Sequence, residues 1–158
     1  MDLDRQTAML KKVPLFSELE ASKLKLMGFV SDCVSFDDAQ ELCHIGEVAD
    51  CVYVILDGRV DVFTASDDGE TLIATLGEHQ LVGELSVLRN TPRMATVRAK
   101  GKTEAARIAS ELFVKFLSDN SREALEVMRQ LSEKLALAYK NIEVLQGELR
   151  PHQHTPER

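Results

Sequence analysis

The stretch VGELSVLRNTPRMATV, residues 82–97, puts an arginine where the sequence pattern predicts a buried position. We interpret residues 93–99 as a strand, in which side chains alternate between two faces. Arg93 then shares the inward face with three apolar residues, Ala95, Val97 and Ala99. The outward face carries Met94, Thr96 and Arg98. Because a buried guanidinium requires a partner of opposite charge, the pattern predicts either an internal ion pair or a bound anion.

A short helix is predicted directly upstream, where residues 83–89, GELSVLR, interrupt a series of predicted strands. The segment is long enough for one or two helical turns. The first turn of a helix presents unpaired N–H groups and the positive end of the helix dipole, and Gly83 lets a ligand approach that backbone closely. The following loop is long enough to bring Arg93 back to the same point. The pattern therefore predicts an anion-binding site formed by the helix start and Arg93.

Glu84 is an unexpected neighbour for an anion, because its carboxylate repels a phosphate. A carboxylate accepts hydrogen bonds, so Glu84 suits a hydroxyl group close to the phosphate, such as a ribose 2′-OH. The alternative is that Glu84 complements the helix dipole and forms an internal ion pair with Arg93. The residues alone leave both interpretations open.

The size and charge of the chain favour a single domain that does not bind nucleic acid. Its 158 residues are enough to bury a substantial core. The formal net charge of -7 argues against a nucleic-acid binder, which needs clustered Lys and Arg. No signal peptide and no run of about 18 apolar residues is present, so we expect a cytoplasmic protein without a membrane partner. The cysteines lack CxxC spacing and are expected to be reduced thiols, with no disulfide and no metal site: Cys33, Cys43 and Cys51.

The first two thirds of the chain divide into a helical and a β-rich region. Residues 1–32 are predicted to be an N-terminal helical lead-in, in which Ser17–Glu20 has the S-x-x-E form of a capping box. Residues 33–109 contain short β-rich runs separated by glycines, a pattern typical of a barrel or sandwich. Asp57-Gly58 predicts a hairpin between its flanking strands, and Asp67-Asp68-Gly69 predicts the next hairpin.

Residues 110–150 are predicted to form a short helix and then a long helix that begins at Asn120 or Ser121. The long helix repeats apolar residues at alternating steps of four and three, which is a heptad pattern: Ala124, Met128, Leu131, Leu135, Ala138, Ile142, Leu145 and Leu149. We therefore predict a homodimer through residues 121–149, the alternative being a helix that packs only on its own domain. Residues 151–158 are expected to be a disordered tail.

Three stretches resemble the cyclic nucleotide-binding domain family. GELSVLRNTPRMATV is similar to its phosphate-binding cassette, in which G-E-[LI]-A-L is followed by P-R-A-A-T-V at the same spacing. IGEVADCVYVILDGRVDVF resembles the family's G-x-x-x-D-x-x-Y-x-I-x-x-G-x-V-x-V run, and LGEHQLVGE resembles L-G-x-x-x-x-F-G-E. The resemblance covers roughly residues 13–145. It is closest to the domains of cAMP-dependent protein kinase regulatory subunits and extends to the catabolite activator protein.

This resemblance implies a mainly β fold with flanking helices, a β-roll of the double-stranded β-helix or jelly-roll type. It implies that Arg93 binds a cyclic phosphate and that Glu84 binds the ribose 2′-OH. The helix start is implied to give backbone N–H groups to the phosphate, through Gly83, Glu84, Leu85 and Ser86. The base is implied to lie against Val62 and Ile73, which are otherwise plain core positions. The implied ligand is a cyclic nucleotide, with no metal and no further cofactor.

Some positions depart from the family pattern. Ser86 replaces the usual alanine and is able to donate a hydroxyl to the phosphate. Met94 stands where members selective for cGMP carry Thr or Ser, and its thioether cannot donate a strong hydrogen bond, so cAMP is expected to be preferred over cGMP. In the catabolite activator, hydroxyl residues of the long helix touch the adenine, and the candidates here are Tyr139 and Asn141. We expect no helix-turn-helix module, because few residues follow the long helix.

Three functions are compatible with these patterns. A cyclic nucleotide sensor without chemistry of its own would shift between two states that an unidentified effector protein distinguishes. A cupin-like metal enzyme would need converging histidines and a carboxylate, but the β region has only His44 and His79, and neither belongs to an H-x-H pair. A ligand-free assembly module would use only the heptad helix. We expect the sensor, which is not an enzyme.

Overall fold

The computed structural model describes residues 3–153 and divides into two compact units, with the boundary between Asp119 and Asn120. The first unit consists of antiparallel strands with helices before, within and after them, and the second unit is one long helix. Eight strands form two four-stranded sheets. This architecture confirms the expected fold class, a mainly β roll with flanking helices.

The helices and strands follow one another in a simple order along the chain. They are α1 (Leu3–Lys11), α2 (Ala21–Val30), β1 (Asp32–Phe36), β2 (Glu41–Cys43), β3 (Cys51–Asp57), β4 (Val60–Ser66), β5 (Gly69–Leu76), β6 (Leu81–Val82), α3 (Glu84–Arg89), β7 (Thr96–Ala99), β8 (Thr103–Ala109), α4 (Ser110–Asp119) and α5 (Ser121–Gln153).

The two sheets enclose the hydrophobic core between their inner faces. The strand order is β1-β8-β3-β6 in the first sheet and β2-β7-β4-β5 in the second, and every pair is antiparallel. Both sheets contribute to one cluster of buried side chains, and removing this apolar surface from water is the main force that holds the sheets together. Its members are Phe36, Leu42, Cys43, Cys51, Tyr53, Ile55, Val60, Val82, Val97, Ala99 and Ala105.

The hairpin predicted at Asp57-Gly58 is wrong. β3 pairs with β6 and β8, whereas β4 pairs with β5 and β7, so this turn carries the chain from one sheet to the other. Gly58 has a φ of 101°, and a Cβ there would lie 2.7 Å from the carbonyl oxygen of Lys102. A close backbone approach at a corner therefore requires the glycine. The hairpin predicted at residues 67–69 is present, between β4 and β5.

The predicted capping box at Ser17–Glu20 is also wrong. α2 begins at Ala21, and no side chain caps its first turn. The Ser17 hydroxyl instead donates to the carbonyl oxygen of Pro14 at 3.0 Å. The adjacent Phe16 is buried and its ring lies 5.5 Å from that of Phe116, so packing fixes this segment as a turn ahead of the helix.

The C-terminal helices differ in two respects from the sequence-based organisation. The prediction grouped α4 with the long helix, but α4 belongs to the first unit because it continues β8 and buries Phe113 and Phe116. α5 ends at Gln153 rather than near residue 150, a shift within the usual uncertainty of helix ends. The rest of the expected tail, residues 154–158, lies outside the described residues. In the described part of the chain, no helix is long and apolar enough to cross a membrane.

Candidate ligand-binding site

Arg93 is buried, as the alternating pattern predicts, although it lies in the loop before β7 rather than in the strand. Only 4% of its surface is exposed, and Val97 is equally buried, whereas Met94 is 44% exposed. Thr96 departs from the pattern, because the sequence places it on the outward face and the structure buries it. Its Oγ1 accepts a hydrogen bond from the backbone N–H of Ile45 at 3.0 Å, which satisfies the buried hydroxyl.

The guanidinium of Arg93 is held by backbone carbonyl groups. Nη2 donates to the carbonyl oxygen of Cys51 at 2.7 Å and contacts the Cys51 thiol at 3.4 Å. Nη1 donates to the carbonyl oxygen of Gly83 at 3.1 Å. The carboxylate of Asp50 lies 4.0 Å from Nη2. A guanidinium has five N–H donors, so these contacts orient the cation without exhausting its capacity to bind an anion.

Gly83 joins the short helix α3 to Arg93. It is the N-cap residue of α3 and has a φ of 86°, a conformation that favours glycine. A Cβ at this position would overlap Nη1 of Arg93. Glycine is therefore required for two reasons, the backbone conformation and the close approach of the cation.

Ser86 ties α3 to the loop that carries Arg93. Its side chain is buried, and its Oγ accepts a hydrogen bond from the backbone N–H of Met94 at 3.2 Å. Its carbonyl oxygen accepts a second bond from the backbone N–H of Thr91 at 3.0 Å. α3 ends at Arg89, and its C-cap residue Asn90 has a φ of 55° and reverses the chain. The loop thus returns to the helix start, as the spacing predicts.

The backbone of Arg93 pairs with the turn that follows β2. Its N–H donates to the carbonyl oxygen of Glu47 at 2.7 Å, and its carbonyl oxygen accepts from the N–H of Gly46 at 2.9 Å. Both bonds fix the peptide groups on either side of the Arg93 side chain. The arginine is therefore positioned by its backbone as well as by its guanidinium.

A cavity of about 360 Å³ opens beside the guanidinium, and we call it the Arg93 cavity. Its volume lies within the range found for small-ligand sites. The wall is more polar than apolar, and it combines one cation and two carboxylates with two thiols, a phenol and two aliphatic side chains. The lining residues are Leu42, Cys43, Glu47, Val48, Asp50, Cys51, Tyr53 and Arg93.

The titratable thiols and the phenol of the Arg93 cavity are neutral near pH 7. Burial raises the pKa of the Cys43 and Cys51 thiols, and the nearby Arg93 charge only partly opposes this effect. Burial also raises the pKa of Tyr53 to about 12, and its hydroxyl donates to the carbonyl oxygen of Leu42. A neutral thiol is a poor nucleophile. These three groups therefore offer the cavity hydrogen-bonding atoms and no activated nucleophile.

A second cavity of about 760 Å³ lies on the other side of α3, between the loop after it and α4. Val87 and Leu88 of α3 face Val114 of α4 across it. The Thr91 hydroxyl lines this cavity and is buried without a hydrogen-bond partner. Arg93 does not line this second cavity, whereas Ser86 does, and Val48 lines both cavities.

Residues 33–120, more than half of the chain, match the family model of the cyclic nucleotide-binding domain. The chain belongs to the cyclic nucleotide-binding domain family. It is 32% identical to a cAMP-dependent protein kinase regulatory subunit of Blastocladiella emersonii over 111 residues, which are 70% of this chain and 28% of that relative. The chain thus spans less than a third of the length of this relative.

Solved structures show the same fold. The catabolite activator protein of Thermus thermophilus superposes with a TM-score of 0.73 at 23% identity, covering 84% of this chain and 63% of that one. A regulatory subunit of a cAMP-independent protein kinase A from Trypanosoma brucei, solved as a mutant bound to cAMP, has a TM-score of 0.73 at 24% identity. That match covers 90% of this chain and 53% of the other. At these identities the likeness shows the fold alone.

The family's cassette positions are brought together in part. Gly83 and Arg93 are in direct contact, and Glu84 and Ser86 are both buried, at 2% and 4% exposure. Leu85 and the more distant Met94 are each 44% exposed. Gly83 and Arg93 therefore share one contact, but none of Gly83, Glu84, Leu85, Ser86 and Met94 lines the Arg93 cavity, and Ser86 lines the second cavity.

The predicted base-contact positions lie outside the Arg93 cavity as well. Val62 is half-buried and packs against the core, and Ile73 is 55% exposed. Ile73 is the extra residue of a β-bulge, because Val62 pairs with Ala74 while Phe63 pairs with Leu72. Neither position lines the two cavities. The other candidates, Tyr139 and Asn141, are exposed residues of α5, in the second unit.

The sequence did not single out two residues that contact Arg93. The backbone carbonyl of Cys51 accepts the shortest hydrogen bond of the Arg93 guanidinium. Any residue would supply this carbonyl, so the sequence carries no signal for the contact. Asp50 is the aspartate of the family run G-x-x-x-D. Because it is far from Arg93 in the sequence, the residue pattern does not indicate that the two side chains lie close together.

Proposed function

We propose that this chain binds a cyclic nucleotide in the Arg93 cavity and acts as a regulatory sensor domain with no catalytic step of its own. The observation that carries the proposal is the buried guanidinium, held by the carbonyl oxygens of Cys51 and Gly83 at the cavity wall. A planar array of N–H donors at a cavity wall favours a small oxyanion. The cyclic phosphate of a nucleotide is such an anion, and membership in the family supports it.

The ligand roles follow the cassette. Arg93 and the first-turn N–H groups of Gly83–Ser86 bind the phosphate, and Glu84 accepts the ribose 2′-OH. Glu84 is buried at the start of α3, next to Gly83. The family resemblance implies Val62 and Ile73 as base contacts, but neither lines the Arg93 cavity, and Ile73 is 55% exposed.

We assign cAMP as the preferred nucleotide over cGMP. Met94 lies beside Arg93 and is 44% exposed, and its thioether cannot donate the hydrogen bond that a guanine carbonyl would accept. The relative from Trypanosoma brucei is described as cAMP-independent, so the fold match does not itself fix the ligand. Direct measurement with both nucleotides is required.

We also propose a homodimer through α5 that passes the binding signal to an effector protein. Four residues of the heptad repeat are roughly half exposed or more in the single chain: Met128, Leu135, Ile142 and Leu145. A narrow apolar stripe of this kind suits a second helix of the same sequence. The expectations of a cytoplasmic location and of no nucleic-acid or membrane partner remain predictions.

The second candidate function is a ligand-free assembly module, and the exposed stripe on α5 is the observation that favours it. An enzyme is less well supported. Among residues 3–147, no group of three or more His, Cys, Asp and Glu residues is arranged to hold a metal ion. His44 is half exposed and pairs with Glu41, away from the buried Cys43 thiol.

Isothermal titration and thermal denaturation with cAMP, cGMP and 5′-AMP test the proposal. We expect cAMP to bind with a micromolar Kd and cGMP more weakly, while 5′-AMP, which lacks the cyclic phosphate, gives little heat. At 100 times its Kd a ligand stabilises the folded chain by about 2.7 kcal/mol, which is easily measured. No heat and no stabilisation with any of the three would favour the assembly module.

A further inference from the structure

Two arginines share one carboxylate at the Arg93 cavity. Asp50 Oδ1 lies 4.0 Å from Nη2 of Arg93, and Asp50 Oδ2 lies 3.5 Å from Nη2 of Arg107. The Asp50 side chain is 65% exposed and that of Arg107 is 37% exposed, whereas that of Arg93 is 3% exposed. The carboxylate thus lies between a buried cation and a half-exposed one.

The two cations differ in how they are fixed. Arg93 is held by its carbonyl partners inside the cavity. Arg107 lies in the middle of the first sheet, where β8 pairs it with Tyr53 of β3. Asp50 precedes β3 and lies outside any strand, so its exposed side chain has more freedom than either arginine. The position of the carboxylate therefore depends on which arginine attracts it more strongly.

Asp50 is a competitor of an anionic ligand. A carboxylate and a phosphate use the same guanidinium donors, and their like charges repel each other. If Asp50 moved closer to Arg93, it would occupy donors that the ligand needs and would place a negative charge in the cavity. A cation that holds Asp50 elsewhere removes both obstacles.

We propose that Arg107 is a positioning residue for the anion site: it holds the Asp50 carboxylate away from Arg93 and so keeps Arg93 available to the cyclic phosphate. The inference rests on the proposed function and deepens it. Arg107 does not line the Arg93 cavity, although it interacts with Tyr53 and Cys51, which do. The proposed route from Arg107 to the site is its ion pair with Asp50. This role requires the positive charge of residue 107 and the negative charge of residue 50.

Titration of cAMP into single and double variants tests this role. Arg107→Gln is expected to weaken cAMP binding about fivefold, the size of effect of a partly exposed ion pair. Arg107→Lys keeps the charge and should bind within about twofold of the parent chain. The matched control is Arg59→Gln, which removes the same charge from an exposed position whose described contacts lie outside the cavity.

The double variant separates this role from two others. With Asp50→Asn the competing charge is gone, so Asp50→Asn/Arg107→Gln should bind cAMP as tightly as Asp50→Asn alone. If Arg107 acted by its general positive potential or by supporting the sheet, the double variant would stay about fivefold weaker. Asp50→Asn alone should bind as tightly as the parent chain or more tightly, a result that does not depend on the folding of any Arg107 variant.

The experiments distinguish failure of the Arg107 proposal from failure of the proposed sensor function. A parent chain that binds cAMP while Arg107→Gln binds equally well, or while the double variant is not rescued, overturns the role of Arg107 and leaves the sensor intact. Weaker binding by Asp50→Asn overturns it as well. A parent chain that binds no cyclic nucleotide overturns both proposals together.

Discussion

Nη1 of Arg93 donates a hydrogen bond to the carbonyl oxygen of Gly83 at 3.1 Å, and the same nitrogen fills the space that a side chain at residue 83 would need. The start of α3 and the buried cation are therefore parts of one unit. Substitution of either residue is expected to affect both.

Gly83→Ala should lower both the stability of the fold and the affinity for cAMP. The alanine would be strained at a φ of 86°, and its Cβ would displace the Arg93 guanidinium. We expect a loss of roughly 2 kcal/mol in the free energy of unfolding and at least about tenfold weaker cAMP binding. Chemical denaturation and isothermal titration measure these two quantities.

Gly101→Ala is the matched control for this variant. Gly101 has a φ of 79°, and a Cβ there would meet no heavy atom within 4 Å. It therefore carries the backbone strain without the clash. Equal loss of cAMP affinity in the two variants would contradict the contact between residue 83 and Arg93.

Ser86→Ala should destabilise the cassette modestly. The substitution leaves the backbone N–H of Met94 without its partner in a partly buried place, which corresponds to about 1 kcal/mol in the free energy of unfolding. Ser118→Ala, which removes an exposed hydroxyl bond within α4, should change it by less than about 0.5 kcal/mol. Equal effects of the two substitutions in urea denaturation would mean that the Ser86 bond does not hold the loop.

The burial of Arg93 could be predicted because it depends on alternation along a few neighbouring residues. Val97 and Ala99 follow the same pattern and are buried. Thr96 breaks it through a hydrogen bond to Ile45, which is 51 residues away in sequence and has no local signal. Local periodicity therefore predicted that Arg93 faces inward. It could not predict the burial of Thr96, which depends on the hydrogen bond to Ile45.

The pairing of strands could not be predicted from turn residues. Asp57-Gly58 has the composition of a hairpin turn, but the close approach of Lys102 and Thr103 to Gly58 turns it into a corner between sheets. The exposure of Ile73 was missed for a related reason. A β-bulge shifts the register between β4 and β5 there, and no residue type in that stretch signals it.

The buried thiols should make stability fall in alkaline solution. Burial raises the pKa of Cys43 and Cys51, so the folded chain holds these protons more tightly than the unfolded chain. This stabilisation is complete below the ordinary thiol pKa of about 8.5 and is lost as the pH rises above it. Tyr53, with a pKa raised to about 12, stays protonated over most of this range.

We therefore expect the melting temperature to fall between about pH 8 and 10, and to fall less in the Cys43→Ala/Cys51→Ala variant. Cys33→Ala removes a less buried thiol whose pKa is also raised by burial, so it is a comparison of degree. If the melting temperatures of the parent chain and the double variant changed identically with pH, ionisation of these thiols would not be the cause of the loss of stability at alkaline pH.

Charges placed on the stripe of α5 should break the proposed homodimer. Leu135→Glu with Ile142→Glu puts two carboxylates on apolar positions that are 55% and 48% exposed in the single chain. We expect a monomer in sedimentation velocity, because buried like charges face each other across a helix pair. Glu133→Lys with Lys140→Glu, at the same spacing on the opposite side of the helix, should leave the dimer intact. A dimer that survives the first pair of substitutions would contradict assembly through this stripe.

The most direct test of the anion site is cAMP titration of Arg93→Gln beside the parent chain and Arg59→Gln. The parent chain and Arg59→Gln, which removes an exposed arginine away from the cavity, should bind with similar micromolar Kd values. Arg93→Gln should bind at least about 100-fold more weakly while keeping its circular dichroism spectrum, since it loses a charge-assisted pair to the phosphate. A folded Arg93→Gln variant with an unchanged Kd would contradict the assignment of the buried guanidinium to the ligand.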